Sequence, residues 1–244
     1  MSDTEMAEFY TNHENKYNLL PNEYLILRNK DDEIVDRLCW TGTTFRNVGY
    51  SKMSSLQFGE IKAYKDDTYQ LFAIDSLYRN KITMLKGLPG SGKTTLALGY
   101  LFSLLEKNKI DKIVIFCNTV ATKDSAKLGY YPGTRDEKLM DSQIGNILAS
   151  KLGDSMVVEK LINDGQLILL PTSDIRGYDT SGMRAGVYMT EAQNMSISLM
   201  KLALQRIGED SICIIDGDLQ AQVDLPEFEG RNNGMRRVSE VFRG

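Results

Sequence analysis

Eight consecutive residues, Gly87-Leu-Pro-Gly-Ser-Gly-Lys-Thr94, match the pattern G-x-x-x-x-G-K-[ST] in full. That spacing suits the capture of a polyphosphate. Glycines at 87, 90 and 92 let the backbone curl until successive N–H groups point into one concavity. A helix starting near Lys93 would add the positive end of its dipole. The Lys93 ammonium is then placed to reach β- and γ-phosphates, and the Thr94 hydroxyl to ligate Mg2+. The competing reading is a Gly-rich turn that fits by accident. The flanks argue against it, because an apolar strand pattern precedes the loop and a helical one follows.

Further polar residues sit where such a site needs them. Val187-Tyr-Met-Thr-Glu-Ala-Gln-Asn194 puts Glu191 just past an apolar strand. The carboxyl ends of parallel strands form the ligand crevice, and a carboxylate there can polarise a water for attack on a γ-phosphate. The alternative is an exposed glutamate favoured at a helix start. Asp216-Gly-Asp218 follows another apolar strand, with Gln220 and Gln222 close behind. Polar groups there are placed to sense the γ-phosphate, and a plain Asp-Gly turn is the alternative. Gln70 precedes the loop on a helical pattern, and its amide can pair with the N6 and N7 edge of adenine.

The elements that must position these residues can be read from periodicity. Lys81–Lys86, Lys112–Cys117, Gln166–Leu170, Ala185–Thr190 and Ser211–Ile215 are short apolar strands. Helical patterns cover Asp67–Tyr78, Lys93–Lys107, Asp136–Leu152, Met156–Asn163 and Ser196–Ile207. Strands that are apolar throughout and alternate with helices imply an α/β fold with a covered parallel sheet. Upstream, Glu23–Arg28, Ile34–Trp40 and Phe45–Tyr50, separated by turn clusters, read as a small antiparallel meander extending to about Gly59. Residues 1–20 are polar and read as a loose arm. The expected organisation is an arm over 1–20, a small β subdomain over 21–64 and a nucleotide-binding domain over 65–244.

Composition narrows the function classes. The 244 residues carry 29 basic and 33 acidic side chains, a net charge of −4. A generally basic nucleic-acid-coating protein is disfavoured, while a local basic groove remains open. No apolar run reaches the length that crosses a bilayer, and Met1–Tyr10 lacks the features of a secretory signal. A cytoplasmic protein is expected. The three cysteines, Cys39, Cys117 and Cys213, lie far apart and read as reduced, buried thiols. With His13 as the single histidine, His-based zinc sites and Ser-His-Asp triads are nearly excluded.

Together these residues resemble the PhoH-like ATPases, whose nucleotide-binding domain is similar to the first motor domain of superfamily 1 helicases. The matching segments are Gln70, Gly87–Thr94, Lys127–Gly133 with Glu137-Lys138, Arg176-Gly177, Glu191–Asn194, Arg206–Gly208, Gly217-Asp218 and Asp224–Pro226. The likeness covers roughly residues 20–244. It implies a RecA-like P-loop NTPase fold preceded by a small β meander, with ATP and Mg2+ as ligands. It also implies action on single-stranded RNA or DNA and assembly as a homo-oligomeric ring. The residues expected to hold nucleotide are Gln70, Gly87, Pro89, Gly90, Ser91, Gly92, Lys93, Thr94 and Thr95. The expected catalytic set is Lys93, Glu191 and Asp218, and the expected metal set is Thr94, Thr190 and Asp216.

Three departures from the family pattern bear on catalysis. The family reads Asp-Glu-Ala-Gln, and here the aspartate position is Thr190. A hydroxyl is a weaker partner for a divalent cation than a carboxylate. Either hydrolysis is slow or lost and the chain is a nucleotide-gated interaction module, or Asp216 supplies the missing charge. The family's Gly-Asp-x-x-Gln is also out of register at Gly217–Gln222. Finally, the chain stops at Gly244, before the segment where relatives carry a candidate arginine finger. Arg236 and Arg237 are the local candidates in trans, with solvated surface as the blander reading. Lys123, Lys127, Arg135 and Lys138, interleaved with Tyr130 and Tyr131, form a loop whose composition suits single-stranded phosphate and base contacts. A small-molecule kinase is disfavoured, because no acceptor-binding lid is apparent.

Overall fold

The structure is a computed structural model of the chain, and it describes residues 1–117, 143–153, 155–219 and 230–242. The chain divides into two compact units, one made of Met1–Lys52 with Lys62–Arg79, the other of Met53–Ile61 with Asn80–Gly244.

In the first unit, α1 (Asp3–Asn12) replaces the expected loose arm. The reason is a reciprocal cap: Ser2 Oγ accepts from the Glu5 N–H, and the Glu5 carboxylate accepts from the Ser2 N–H. Phe9 then buries to 3 % exposure against Leu27 and Leu38. Strands β1 (Tyr24–Arg28), β2 (Ile34–Trp40) and β3 (Phe45–Asn47) form the antiparallel meander in the order β1-β2-β3. The registers pair Ile26 with Arg37 and Trp40 with Phe45. The β1–β2 turn is organised by Asn29, whose side-chain oxygen accepts from the N–H groups of Asp31 and Glu33.

Helix α2 (Thr68–Arg79) completes this unit and buries Leu71, Phe72, Ile74 and Leu77. Tyr78, which shares the apolar stripe in sequence, stays 45 % exposed. Asp75 on the same helix is buried, as the acid of an ionic knot. The Asp75 carboxylate accepts from Arg46 at 3.0 and 2.6 Å, from Arg79 at 3.0 Å and from the Tyr24 hydroxyl at 3.0 Å. Burial by itself raises the Asp75 pKa, and the hydrogen bonds from Arg46, Arg79 and Tyr24 overcome this, so the group lies below the usual carboxylate range.

The meander ends at Asn47, short of the expected Gly59. A separate hairpin follows, β4 (Lys52–Ser55) with β5 (Gly59–Lys62). Its central residues belong to the second unit. There the Glu106 carboxylate accepts from the N–H groups of Leu56 and Gln57, and Phe58 packs on Phe102 with ring centroids 5.1 Å apart.

The second unit is built on five parallel strands: β6 (Ile82–Lys86), β7 (Lys112–Cys117), β8 (Leu167–Pro171), β9 (Ala185–Met189) and β10 (Ile212–Gly217). Their order in the sheet is β6-β10-β9-β7-β8. Every residue of β9 and nearly all of β7 and β10 are buried, as a sheet flanked by helices requires. The helices are α3 (Lys93–Glu106), α4 (Gln143–Leu152), α5 (Ser155–Asn163), α6 (Ile197–Leu204) and α7 (Gly234–Val241). The core joins Val114, Phe116, Val187, Met189 and Ile215 to Met195, Met200 and Met235.

The α/β architecture with a preceding antiparallel sheet agrees with the sequence reading. Helix α7 was not anticipated: it is short, and its buried apolar contribution is essentially Met235, with Val238 half-buried one turn on. The three cysteines are free and buried, and burial pushes the Cys117 and Cys213 thiols up to about 12. No helix among the described residues is long and apolar enough to cross a membrane.

Candidate nucleotide-binding site

The glycine-rich loop joins the carboxyl end of β6 to the start of α3. Gly90 (φ 75°) and Gly92 (φ 89°) take the left-handed conformation, which curls the loop without a Cβ penalty. Leu88, Pro89, Gly90 and Ser91 are exposed, and Lys93, Thr94 and Thr95 are half-buried at the head of α3. Lys93 Nζ donates to the carbonyls of Gly87 at 2.7 Å and Leu88 at 2.9 Å, so its charge is folded over the loop. The Gly87 N–H donates to the Gly217 carbonyl at 3.3 Å, which ties the loop to the end of β10.

Strand order decides which acid stands beside this loop. β10 lies directly against β6, with Asp216 paired to Leu85 and Gly217 to Lys86. β9 lies one strand further away. Asp216 is 2 % exposed, and its carboxylate accepts from the Tyr188 hydroxyl at 2.8 Å and from the Glu191 N–H at 3.1 Å. The Thr94 hydroxyl is 3.4 Å from the same carboxylate. Burial is the main cause that pushes the Asp216 carboxyl up to about 6; the Tyr188 hydroxyl opposes it and the negative Glu191 adds to it. Burial and then the Asp216 charge hold the Tyr188 phenol well above its ordinary value. Thr190 is 8 % exposed, and its hydroxyl interacts with that of Tyr188.

These oxygens fit a hard divalent cation. Two oxygens sharing such an ion at ~2.1–2.4 Å lie about 3.0–3.4 Å apart, and the Thr94–Asp216 separation falls at the top of that range. A buried carboxylate that resists ionising is also the group a cation would stabilise most. No group of three or more His, Cys, Asp or Glu side chains suited to a metal occurs among the described residues, so hydroxyls must complete any protein donor set here.

Glu191 sits in the left-handed region at φ 52°, an uncommon conformation for a side-chain-bearing residue. Its carboxylate accepts from Gln193 Nε2 at 2.5 Å. The Gln193 side-chain oxygen in turn accepts from the Asp218 N–H at 3.2 Å. One fully buried amide therefore bridges the two residues expected to act on the γ-phosphate. Gly217 makes the approach possible, since a Cβ there would lie 2.5 Å from the Gln193 oxygen. Asn233 closes the far side: it donates to the Gln193 carbonyl at 2.9 Å and accepts from the Arg236 N–H at 2.9 Å, capping α7.

Tyr188 and Asn233 were missed from sequence, and Gln193, inside the matching Glu191–Asn194 segment, was given no role of its own. A tyrosine inside an otherwise apolar buried strand was the available signal, because a buried phenol must find a partner. Gln70 lies in the first unit, where its side-chain oxygen accepts from the Tyr64 N–H at 2.7 Å. Arg237 pairs with Glu240 at 3.4 Å on α7, and Arg236 is half-buried. Lys123, Lys127, Tyr130, Tyr131, Arg135, Lys138, Gln220, Gln222 and Asp224 lie outside the described residues.

A profile of the family described as PhoH-like protein matches residues 62–244. The chain belongs to the PhoH-like family. Among its relatives, a PhoH-like protein of Bacillus subtilis is 31 % identical over 173 residues, covering 70 % of this chain and 52 % of that protein. Protein PhoH2 of Thermobispora bispora is 30 % identical over 179 residues, with coverages of 72 % and 40 %. A PhoH-like protein of Mycobacterium tuberculosis is 28 % identical over 171 residues, with coverages of 69 % and 46 %. The PhoH-like chain spans about half the length of these curated relatives. PhoH-like proteins are P-loop NTPases, and the parallel sheet, glycine loop and following helix of this chain are the P-loop arrangement.

Proposed function

We propose that this PhoH-like protein binds ATP with Mg2+ and hydrolyses it to ADP and phosphate. The observation that supports this best is the 3.4 Å approach of the Asp216 carboxylate to the Thr94 hydroxyl. It returns to the loop the negative charge that Thr190 lacks, from the neighbouring strand. Backbone N–H groups of Gly90–Thr94 hold the phosphates, with Lys93 as their counter-charge. Thr94, Asp216 and Thr190 hold the cation, which when bound neutralises charge on the β- and γ-phosphate oxygens. Glu191 orients the attacking water, and Gln193 keeps that carboxylate in line with Asp218. Gln70 is the adenine reader carried over from the resemblance. Coupling to single-stranded RNA or DNA, ring assembly and a cytoplasmic location are carried over in the same way.

A second reading, a nucleotide-gated interaction module without turnover, is favoured by the contacts already made by the acids. Glu191 is held by Gln193, and Asp216 accepts from two donors besides Thr94. Phosphate release measured with and without Mg2+, on wild type and Glu191→Gln, separates the two. Mg2+-dependent release that falls ~100-fold or more in the variant supports hydrolysis. ATP retention without release in wild type supports the module.

A further inference from the structure

Strand β9 carries one polar group on its side chains, the hydroxyl of Tyr188, and that residue is fully buried. In the parallel register Tyr188 pairs with Ile214 of β10. Paired residues of parallel strands share a face, and so do residues two apart along a strand. Asp216 therefore stands on the Tyr188 face, roughly 6.6 Å further along β10 at the rise of a parallel strand. The phenol ring spans that offset and donates its hydroxyl to Asp216 Oδ2 at 2.8 Å. Helix α3 covers the same face: a Cβ on Gly186, two residues before Tyr188, would lie 2.5 Å from Leu101 of α3. Thr94, in the first turn of α3, meets the pair there, with its hydroxyl 3.4 Å from the same Oδ2. The other carboxylate oxygen, Oδ1, accepts from the Glu191 N–H at 3.1 Å.

We infer that Tyr188 is the positioning residue of the cation site and sets its selectivity: by holding Asp216 so that a single oxygen approaches Thr94, it makes the site prefer Mg2+ to Ca2+. The inference rests on the proposed Mg2+-dependent binding of ATP. A donor to a ligating carboxylate fixes its orientation, and losing such a donor costs about 10–100-fold in metal affinity. The two ions ask different things of a carboxylate. Mg2+ demands near-ideal octahedral geometry and takes few carboxylate ligands, whereas Ca2+ accepts irregular shells and both oxygens of one carboxylate. With Oδ1 tied to the Glu191 backbone and Oδ2 to Tyr188, Asp216 is not free to turn both oxygens to one ion. Tyr188→Phe removes one tie and keeps the ring. The carboxylate then gains a freedom that harms Mg2+ more than Ca2+. The phenol does more than satisfy a buried acid, because it holds the same oxygen that approaches Thr94.

The test is equilibrium binding of a labelled, non-hydrolysable ATP analogue to the full chain in EDTA, in saturating Mg2+ and in saturating Ca2+. The gain in affinity over EDTA reads each cation. Wild type should gain more from Mg2+ than from Ca2+. Tyr188→Phe should leave the EDTA affinity unchanged, cut the Mg2+ gain about tenfold and cut the Ca2+ gain less. Asp216→Glu, which keeps the charge but carries it a methylene past the Tyr188 hydroxyl, should lose Mg2+ gain as well. Thermal unfolding shows which variants are folded, and either one alone carries the test. A full Mg2+ gain in a folded variant would overturn the inference. So would equal losses of Mg2+ and Ca2+ gain in Tyr188→Phe, or a loss confined to the EDTA affinity, both of which mark a role in packing alone. If Asp216→Asn removes the Mg2+ gain while Tyr188→Phe keeps it, the proposed function stands and this inference alone falls. If wild type gains nothing from Mg2+, both fall together.

Discussion

The Asp216 carboxylate and the Thr94 hydroxyl approach to 3.4 Å although the two residues are far apart in sequence. One ends the strand next to the glycine loop and the other opens the helix after it. Asp216 carries an unusual sign. Its folded-state pKa is raised, to about 6, so in the nucleotide-free protein it favours folding at low pH and loses that contribution as pH rises through this window. Asp216→Asn should therefore leave nucleotide-free stability at pH 8 equal or higher, by on the order of 1–3 kcal/mol. The same change should abolish the extra rise in Tm that Mg2+ with ATP gives wild type. Thermal melts with each ligand combination check both halves.

Gln193 should act as a positioning residue. Gln193→Leu removes the amide that joins Glu191 to Asp218 and leaves buried polar groups unmatched. Turnover is expected to fall ~100-fold or more with KM for ATP changed little, since the loop and Lys93 are untouched. Gln193→Glu, which keeps the acceptor and loses the donor to Glu191, should be as slow as the leucine variant. Steady-state phosphate release resolves kcat from KM.

The ionic knot at Asp75 predicts acid sensitivity of the first unit. The Asp75 pKa is lowered, so its contribution is present above the unfolded-state value of about 3.9 and is lost as pH falls through the lower folded value. Urea midpoints between pH 6 and pH 3 should fall for wild type. Asp75→Asn should be less stable at pH 6 and show a shallower decline, because Arg46 and Arg79 have already lost their partner.

Helix α1 should contribute to folding rather than hang as a tail. Phe9 is 3 % exposed and meets Phe45 with ring centroids 5.0 Å apart. Phe9→Ala is expected to cost about 3 kcal/mol. Ser2→Ala, which removes the cap, should cost about 1 kcal/mol. Equilibrium unfolding monitored by far-UV circular dichroism reads both, and protease sensitivity of residues 1–20 should rise in the Phe9 variant.

Local pattern was enough for the strands of the parallel sheet, the start of α3 and the glycine loop. Each rests on periodicity or on a backbone requirement contained within a few neighbouring residues. The α1 cap was equally local, and Ser2, Glu5, Met6 and Phe9 carry it in plain view. Polarity elsewhere in the first twenty residues masked it. Helix α7 was different in kind: eight residues with one fully buried apolar side chain have too little pattern of their own, and Asn233 bound to the Gln193 carbonyl helps to hold them.

By itself the sequence determined that a polyphosphate-type loop exists, that parallel strands present it and that the usual acid is missing at Thr190. It determined these because each depends on residue type and short spacing. Only the tertiary structure decided that the Asp216 carboxylate comes to 3.4 Å from the Thr94 hydroxyl, and that one buried amide links Glu191 to Asp218. Those facts follow from strand order, with β10 placed between β6 and β9. Adjacency between strands distant along the chain is settled by packing, which short-range pattern does not encode.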